Sequence, residues 1–61
     1  MEKLRAYMVK HEISQAQLAE LIGVKQPSVW EWLNGESMPR SDNLRKISEV
    51  TGLSVDELLA S

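Results

Sequence analysis

The sequence predicts an all-α fold built from five short helices. Apolar residues recur three and four positions apart in five separate stretches, which is the spacing of one helix face. Serines precede several of these stretches and glycines follow two of them, as helix-capping residues do. No segment alternates apolar and polar residues for long enough to predict a strand. The 61 residues, 43% of them apolar, are expected to form a single domain over 1–61.

Capping residues indicate where the helices begin. Ser14, Ser41 and Ser54 stand just before apolar stretches and are predicted as N-caps. Gln17 and Glu57 follow Ser14 and Ser54 at the spacing of a capping box, in which the third helical residue bonds back to the cap. The predicted helices cover residues 2–11, 15–22, 26–33, 42–50 and 55–60.

Helix ends and inward faces complete this prediction. Gly23 and Gly52 follow apolar stretches and suit the left-handed conformation that ends a helix. The residues expected to face a common core are Leu4 and Met8 in the first helix, Leu18, Leu21 and Ile22 in the second, Val29, Trp32 and Leu33 in the third, Leu44, Ile47 and Val50 in the fourth, and Val55, Leu58 and Leu59 in the fifth.

Composition argues against several classes of function. With no cysteine and one histidine, His11, the chain is predicted to hold no disulfide, no zinc site and no cofactor. Catalysis is not expected, because so small a helical domain has little room for a substrate cleft and its acid–base residues form no cluster. No apolar run approaches the roughly 18 residues of a membrane span, and no signal-peptide pattern opens the chain, so we expect a cytoplasmic protein.

Charge is a weaker indication of function. Seven basic and nine acidic residues give a formal charge of −2, whereas nucleic-acid-binding domains are usually basic. The position of the positive charges matters more than the total. Residues 1–33 are neutral, with four basic and four acidic residues, and residues 34–61, with three basic and five acidic, carry the whole deficit.

The segment Ser14–Gly35 has the spacing of a helix-turn-helix. A helix of about eight residues ends at Gly23, and another follows the turn at Val24 and Lys25. Ala19 is expected where the two helices cross most closely, because a small side chain is needed there. A generic glycine turn is the alternative interpretation, but the joint pattern at positions 18–19, 23–24, 29, 32 and 34–35 favours a DNA-binding corner.

These residues resemble the phage repressor/Cro family of helix-turn-helix transcription regulators, also called the XRE family. The resemblance covers nearly the whole chain and is carried by Ser14-Gln15, Leu18-Ala19, Gly23-Val24, Gln26, Ser28-Val29, Trp32, Asn34-Gly35, Pro39, Leu44 and the closing run from Gly52 to Leu59. It implies a five-helix lambda-repressor-like fold in which helices 2 and 3 form the helix-turn-helix.

The same resemblance implies a function. We expect sequence-specific binding of double-stranded DNA by a prokaryotic or phage-encoded transcriptional regulator, most simply a repressor. The third helix would lie in the major groove, and a dimer would read two half-sites of a near-palindromic operator. The dimer is expected to be weak without DNA, with its contact surface around residues 55–59 and the loop before the fourth helix. A protein-interaction module on the same fold, such as an antitoxin or adaptor, is the alternative, favoured by the acidic total and by Glu31 and Glu36.

Four side chains of the third helix are predicted to contact bases. With Val29 facing the core, Pro27 and Glu31 fall on the outward face, and Gln26 and Ser28 lie on its flanks. A glutamine amide can bond adenine N6 and N7 together, a serine hydroxyl can bond a base edge or a phosphate, and a proline ring can meet a thymine methyl. Glu31 can accept a hydrogen bond from cytosine N4, but a solvated surface charge explains it equally well.

Four further residues are predicted to contact the DNA backbone. Gln15 resembles the family's glutamine that bonds a phosphate, although an ordinary polar first-turn residue is the alternative. Lys25 is a poor N-cap, so a phosphate or guanine contact explains it better. Asn34 is expected to contact phosphate or simply to end the helix. Arg40 is the one basic residue in the loop over positions 36–40, where relatives are often richer in lysine and arginine.

Three features single out this chain. Glu12 stands where relatives often have a glycine after the first helix, which predicts a strained or rebuilt corner. Met8 and Leu33 take positions that hold a paired arginine and glutamate in some relatives. We therefore predict that both are buried and pack within about 4.5 Å of each other beneath the third helix. Trp30, on the flank of that helix, is expected to be a partly exposed packing residue, with a contact to sugar and a thymine methyl as the alternative.

Overall fold

Five α-helices follow one another in the computed structural model, which describes residues 1–60. They are α1 (Glu2–Lys10), α2 (Gln15–Ile22), α3 (Gln26–Leu33), α4 (Ser41–Thr51) and α5 (Val55–Leu59). Each bound lies within one residue of the predicted one, and no strand occurs in this part of the chain, so the predicted all-α class is confirmed. The last residue of the predicted domain, Ser61, lies outside the described residues.

Two of the three predicted N-caps are confirmed as complete capping boxes. The Oγ atom of Ser14 accepts from the Gln17 N–H at 3.1 Å, and the Ser14 N–H donates to Gln17 Oε1 at 2.8 Å. The same exchange joins Ser54 and Glu57, with both bonds at 3.0 Å. The first turns of α2 and α5 are therefore held by their own side chains, without help from the core.

The predicted N-cap at Ser41 is wrong. Arg40, with extended φ of −67° and ψ of 163°, is the residue before α4, and Ser41 is already helical. The Arg40 carbonyl accepts the first helical bond, from the Leu44 N–H at 2.8 Å. The Asp42 carboxylate accepts from the Asn43 N–H at 2.9 Å, so an acidic side chain of the first turn satisfies a donor that a serine cap would otherwise take.

The corners after α1 and α2 share one hydrogen-bond pattern but differ in the residue that makes the turn. After α2, Gly23 has the expected left-handed φ of 86°. After α1, Glu12 takes that role with a φ of 54°, and the Ile13 N–H bonds the Met8 carbonyl at 2.9 Å. The corner is thus not rebuilt around the missing glycine, and the strain of a left-handed non-glycine residue is retained.

The core is one cluster to which all five helices contribute. Its buried members are Leu4, Met8, Leu18, Ala19, Ile22, Val29, Trp32, Leu33, Leu44, Ile47 and Leu58, with Met1, Ile13, Val24, Val50 and Leu53 packed against it. This confirms most of the predicted inward faces and the predicted burial of Ala19. Within residues 1–60, no helix is long and apolar enough to cross a bilayer.

Three residues predicted to face the core are exposed instead. Leu21 is 57% exposed, because α2 packs against α3 and α4 on the side of Leu18, Ala19 and Ile22. A face centred on those three residues turns Leu21 away. Val55 and Leu59 are exposed because α5 has only five residues and buries its apolar side through Leu58, against α1 and α4.

Candidate nucleic-acid interface

The corner between α2 and α3 fixes the direction of the third helix. Gly23 ends α2 in the left-handed region, and the Val24 N–H returns to the Ala19 carbonyl at 3.0 Å. Val24 is half-buried against the core, and Lys25 is extended, with φ of −80° and ψ of 150°. Because Ala19 is small and buried, α2 and α3 can approach closely at the crossing. The corner therefore has the geometry of a helix-turn-helix.

The α3 helix has one face in the core and the opposite face in solvent. Val29, Trp32 and Leu33 are buried, as predicted. The side chains of Gln26, Pro27, Trp30 and Glu31 are exposed. Pro27 lies in the first turn, where its missing N–H would have no helical partner. The exposed face thus presents an amide, a carboxylate and two apolar rings to the same side of the molecule.

An open depression brings part of α2 next to this face. It is lined by Gln15, at the start of α2, and by Gln26, Pro27, Trp30 and Glu31 of α3. One residue of α2 and four residues of α3 thus line one surface. Three of the four predicted base-contacting residues and one predicted backbone-contacting residue belong to it.

The remaining predicted contact residues differ in accessibility. Ser28 is half-buried, so its hydroxyl is the least accessible of the predicted base contacts. Lys25 is exposed and makes no side-chain capping bond, which leaves its ammonium group free of the helix it precedes. Arg40 is exposed at the start of α4. The structure does not place these three on the lining of the depression itself.

Asn34 and Gly35 end α3 through backbone and side-chain bonds. Gly35 has a left-handed φ of 73°, and the Glu36 N–H bonds the Glu31 carbonyl at 2.8 Å. The Asn34 side chain donates through Nδ2 to the Trp30 carbonyl at 2.9 Å. One N–H of the Asn34 amide is therefore used in ending the helix, which is the alternative role considered for it from the sequence.

Two residues that the sequence analysis did not single out donate hydrogen bonds to residues of α3. Ser37 donates through Oγ to Glu31 Oε1 at 3.1 Å, so the loop after α3 holds one oxygen of the exposed carboxylate. Arg5 of α1 donates through Nη2 to the Leu33 carbonyl at 2.7 Å. The bond between Ser37 and Glu31 was not predictable, because residues six apart are not neighbours on a helix. The bond between Arg5 and Leu33 was not predictable either, because it depends on tertiary packing.

The family comparison agrees with this geometry. A model of a helix-turn-helix family matches residues 4–58, which include all of α2, α3 and α4. Together with the phage repressors among the relatives, this match shows that the chain belongs to the phage repressor/Cro-like, or XRE, family of helix-turn-helix transcription regulators. This family is non-enzymatic, in agreement with the prediction from composition.

Three curated relatives illustrate the membership. The HTH-type transcriptional activator BcrR of Enterococcus faecalis is 32% identical over 59 residues, which cover 97% of this chain and 29% of that protein. Repressor protein C2 of Salmonella phage P22 is 34% identical over 58 residues, covering 95% and 27%. The cryptic phage CTXphi transcriptional repressor RstR of Vibrio cholerae is 40% identical over 45 residues, covering 74% and 40%. The chain thus spans 27% to 40% of the length of these relatives. No solved structure gives a significant match.

Proposed function

We propose that this chain binds double-stranded DNA in a sequence-specific manner, as the DNA-binding domain of a transcriptional regulator, with α3 in the major groove. The observation that carries the proposal is the open surface on which Gln15 of α2 meets Gln26, Pro27 and Glu31 of α3. A helix that buries one face and exposes hydrogen-bonding side chains on the other is suited to reading base edges. Of the three relatives, one is named an activator and two are named repressors. We therefore propose that this chain acts in repression.

Base reading is assigned to the exposed first turns of α3. Gln26 is exposed and offers both a donor and an acceptor, so its amide can bond adenine N6 and N7 together. Pro27 offers an apolar ring, and Glu31 keeps one carboxylate oxygen free of the Ser37 bond to accept from cytosine N4. Ser28 is half-buried, so we assign it a contact at the edge of the interface.

Backbone contacts are assigned to residues at the ends of the helices. Gln15 is the first residue of α2, where unpaired N–H groups also favour a phosphate. Lys25 and Arg40 supply the positive charge, and the second N–H of the Asn34 amide, which the bond to the Trp30 carbonyl does not use, can donate to a phosphate. Two cations are few for a phosphate backbone. Affinity is therefore expected to be modest and to fall steeply with salt.

The proposed assembly is a symmetric homodimer on a near-palindromic operator. One recognition helix covers too few base pairs to identify an operator, whereas two related by a dyad read two half-sites. Val55 and Leu59 of α5 and Met38 of the loop before α4 are exposed apolar side chains in the regions proposed for the contact. Because these are few, we expect a dimer that is weak in isolation and assembles on DNA. A tight dimer at nanomolar concentration without DNA, measured by sedimentation, would contradict this.

The test of DNA binding is selection from a random duplex library, followed by mobility shifts on the selected duplex at two salt concentrations. We expect enrichment of a near-palindromic sequence and a clear loss of affinity at the higher salt. A scrambled duplex of the same composition is the control for sequence specificity. Equal affinity for the selected and the scrambled duplex would support DNA binding but refute sequence-specific recognition.

The adaptor alternative predicts a different result in the same experiment. The acidic total of the chain and the exposed Glu31 and Glu36 beside α3 favour it. A dimer verified by sedimentation that binds no duplex even at low salt would favour a protein-interaction module and refute the proposed function.

A further inference from the structure

Trp30 is a large apolar side chain that the fold leaves exposed. Its side chain is 48% exposed and lies outside the core cluster, whereas the nearby Trp32 is 5% exposed and belongs to it. Trp30 is thus partly exposed, as expected, and the choice between packing and a contact to DNA stays a prediction. An exposed tryptophan on the surface of a binding helix is a candidate contact residue, because its ring offers a large rigid area for an apolar partner.

The indole lies on the same surface as the pyrrolidine ring of Pro27. The two residues are three positions apart on α3, which makes them neighbours on the helix surface, and helical side chains lean toward the N-terminal end of their helix. Both line the open depression, together with Gln15, Gln26 and Glu31. Two apolar rings, two amides and a carboxylate thus line one surface.

We infer that Trp30, together with Pro27, forms an apolar contact for the 5-methyl group of a thymine, and that Trp30 is therefore a specificity-determining residue. This inference rests on the proposed function, because it places α3 in the major groove. The thymine methyl is the apolar group that an unmodified base pair presents there, and apolar side chains recognise it by contact.

The charges around Trp30 favour a base edge over the DNA backbone as its partner. Glu31 lies beside it on the depression and repels phosphate, and the Ser37 bond holds one oxygen of that carboxylate in place. Trp30 itself offers a single N–H donor and no acceptor, so it cannot read the polar edge of a base pair as Gln26 can. An apolar contact in the groove is what this combination supports.

The experiment replaces individual thymines of the selected duplex by uracil, which removes the methyl group and leaves the base pairing intact. The wild-type chain is expected to bind one uracil-substituted duplex per half-site roughly fourfold more weakly, which corresponds to the loss of one buried methyl group. Trp30→Ala is expected to lose most of the discrimination between thymine and uracil at that position, with the remainder due to Pro27. Because Trp30 is exposed, this variant should keep its helical circular dichroism.

Leu21→Ala is the matched control, because Leu21 is also a large exposed apolar residue but lines a different depression, with His11 and Gln17 among its neighbours. This variant is expected to discriminate thymine from uracil as the wild type does. The inference is overturned if no thymine in the site is sensitive to the change, or if Trp30→Ala keeps the full discrimination. In both cases sequence-specific binding by the wild type would leave the proposed function standing. Absence of binding to any duplex would overturn both.

Discussion

The Nη2 atom of Arg5, on α1, donates a hydrogen bond of 2.7 Å to the carbonyl oxygen of Leu33, the last residue of α3. This carbonyl belongs to the last turn, whose carbonyls lack intrahelical partners. Backbone N–H groups after the helix satisfy the carbonyls of the three preceding residues, at positions 30, 31 and 32. The guanidinium thus satisfies the remaining one and places a positive charge at the negative end of the helix.

Some relatives are expected to join these two helices through a pair of charged side chains at positions 8 and 33. In this chain both positions are apolar, and the arginine stands one turn earlier on α1 and bonds the main chain instead. Met8 and Leu33 are 6% and 7% exposed, which confirms their predicted burial. Both line one depression together with Arg5, while their predicted contact within about 4.5 Å stays a prediction.

The bond between Arg5 and Leu33 predicts the effect of removing the guanidinium. Arg5→Ala should lower the free energy of unfolding by about 1 kcal/mol, because the Leu33 carbonyl loses a charged donor in a partly buried place. For a domain of this size, that corresponds to a fall in Tm of about 4–8 °C. Arg45→Ala removes the same charge from an exposed position of α4 and is the control. Equal effects of the two variants in thermal unfolding would show that the bond contributes little.

The buried pair at positions 8 and 33 predicts a coupled response to charge. Leu33→Glu would bury a carboxylate in the core and should cost roughly 3 kcal/mol or more. Adding Met8→Arg should recover part of this loss, because the new guanidinium would face the new carboxylate. Leu33→Gln, which has a similar shape without the charge, should gain nothing from Met8→Arg. Chemical denaturation of these four variants, of Met8→Arg alone and of the wild type measures the coupling, and additive effects would contradict it.

The left-handed Glu12 predicts a stabilising substitution. Glu12→Gly should raise the free energy of unfolding by about 0.5–1 kcal/mol, because relief of the left-handed strain exceeds the entropy that glycine adds to the unfolded chain. Glu12→Ala keeps the strain and removes the same charge, so it should give no such gain. Thermal unfolding of the two variants is the measurement. A Tm for Glu12→Gly no higher than that for Glu12→Ala would disprove the assignment of strain to this corner.

The capping box of α5 predicts a dependence of stability on acid. The pKa of Glu57 is held below its ordinary value of 4.5, chiefly by the hydrogen bond from the Ser54 main-chain N–H and then by the Ser54 hydroxyl, with a smaller effect of Lys3 at 3.9 Å. A carboxyl with a lowered folded pKa contributes stability above its unfolded pKa and loses it as the pH falls through the folded value.

The expected result is that Glu57→Gln unfolds with a shallower acid dependence than the wild type below about pH 4.5, because glutamine can still complete the capping box but does not titrate. Ser54→Ala removes the hydroxyl, the smaller of the two Ser54 contributions, but keeps the main-chain N–H, so it should flatten the same region only in part. Denaturation midpoints measured between about pH 6 and about pH 3 test both variants. Parallel profiles for the wild type and Glu57→Gln would contradict the assignment.

Replacing Gln26 or Lys25 by alanine should change DNA binding in different ways. Gln26→Ala is expected to relax the preference at one A·T pair of the selected duplex, because the Gln26 amide can both donate to adenine N7 and accept from adenine N6. Lys25→Ala should weaken all duplexes alike and reduce the salt slope by about one unit. Lys46→Ala, an exposed lysine of α4, is the charge-matched control and should change neither. Uniform losses for both test variants would show that Gln26 does not read a base.

Local chemistry allowed the sequence by itself to determine the helices and their ends. Ser14 with Gln17 and Ser54 with Glu57 need only residues three apart to form their capping boxes, so the pattern is visible without a fold. Gly23 and Gly52 are likewise read from the chain, because glycine adopts the left-handed region at little cost. The helix-turn-helix follows from this spacing, and the family was indicated by the resemblance of particular residues and shown by the family match.

Only the tertiary structure decided which faces are buried and which distant groups meet. Leu21, Val55 and Leu59 are apolar at helical spacing, yet their exposure depends on which neighbouring helices cover each face. The Arg5 bond to Leu33 depends in the same way on the packing of α1 against α3, and the exposure of Trp30 depends on which side of α3 the other helices cover. Such contacts join residues far apart in the chain, so no local sequence pattern can specify them. They are specified by the packing energy of the assembled core.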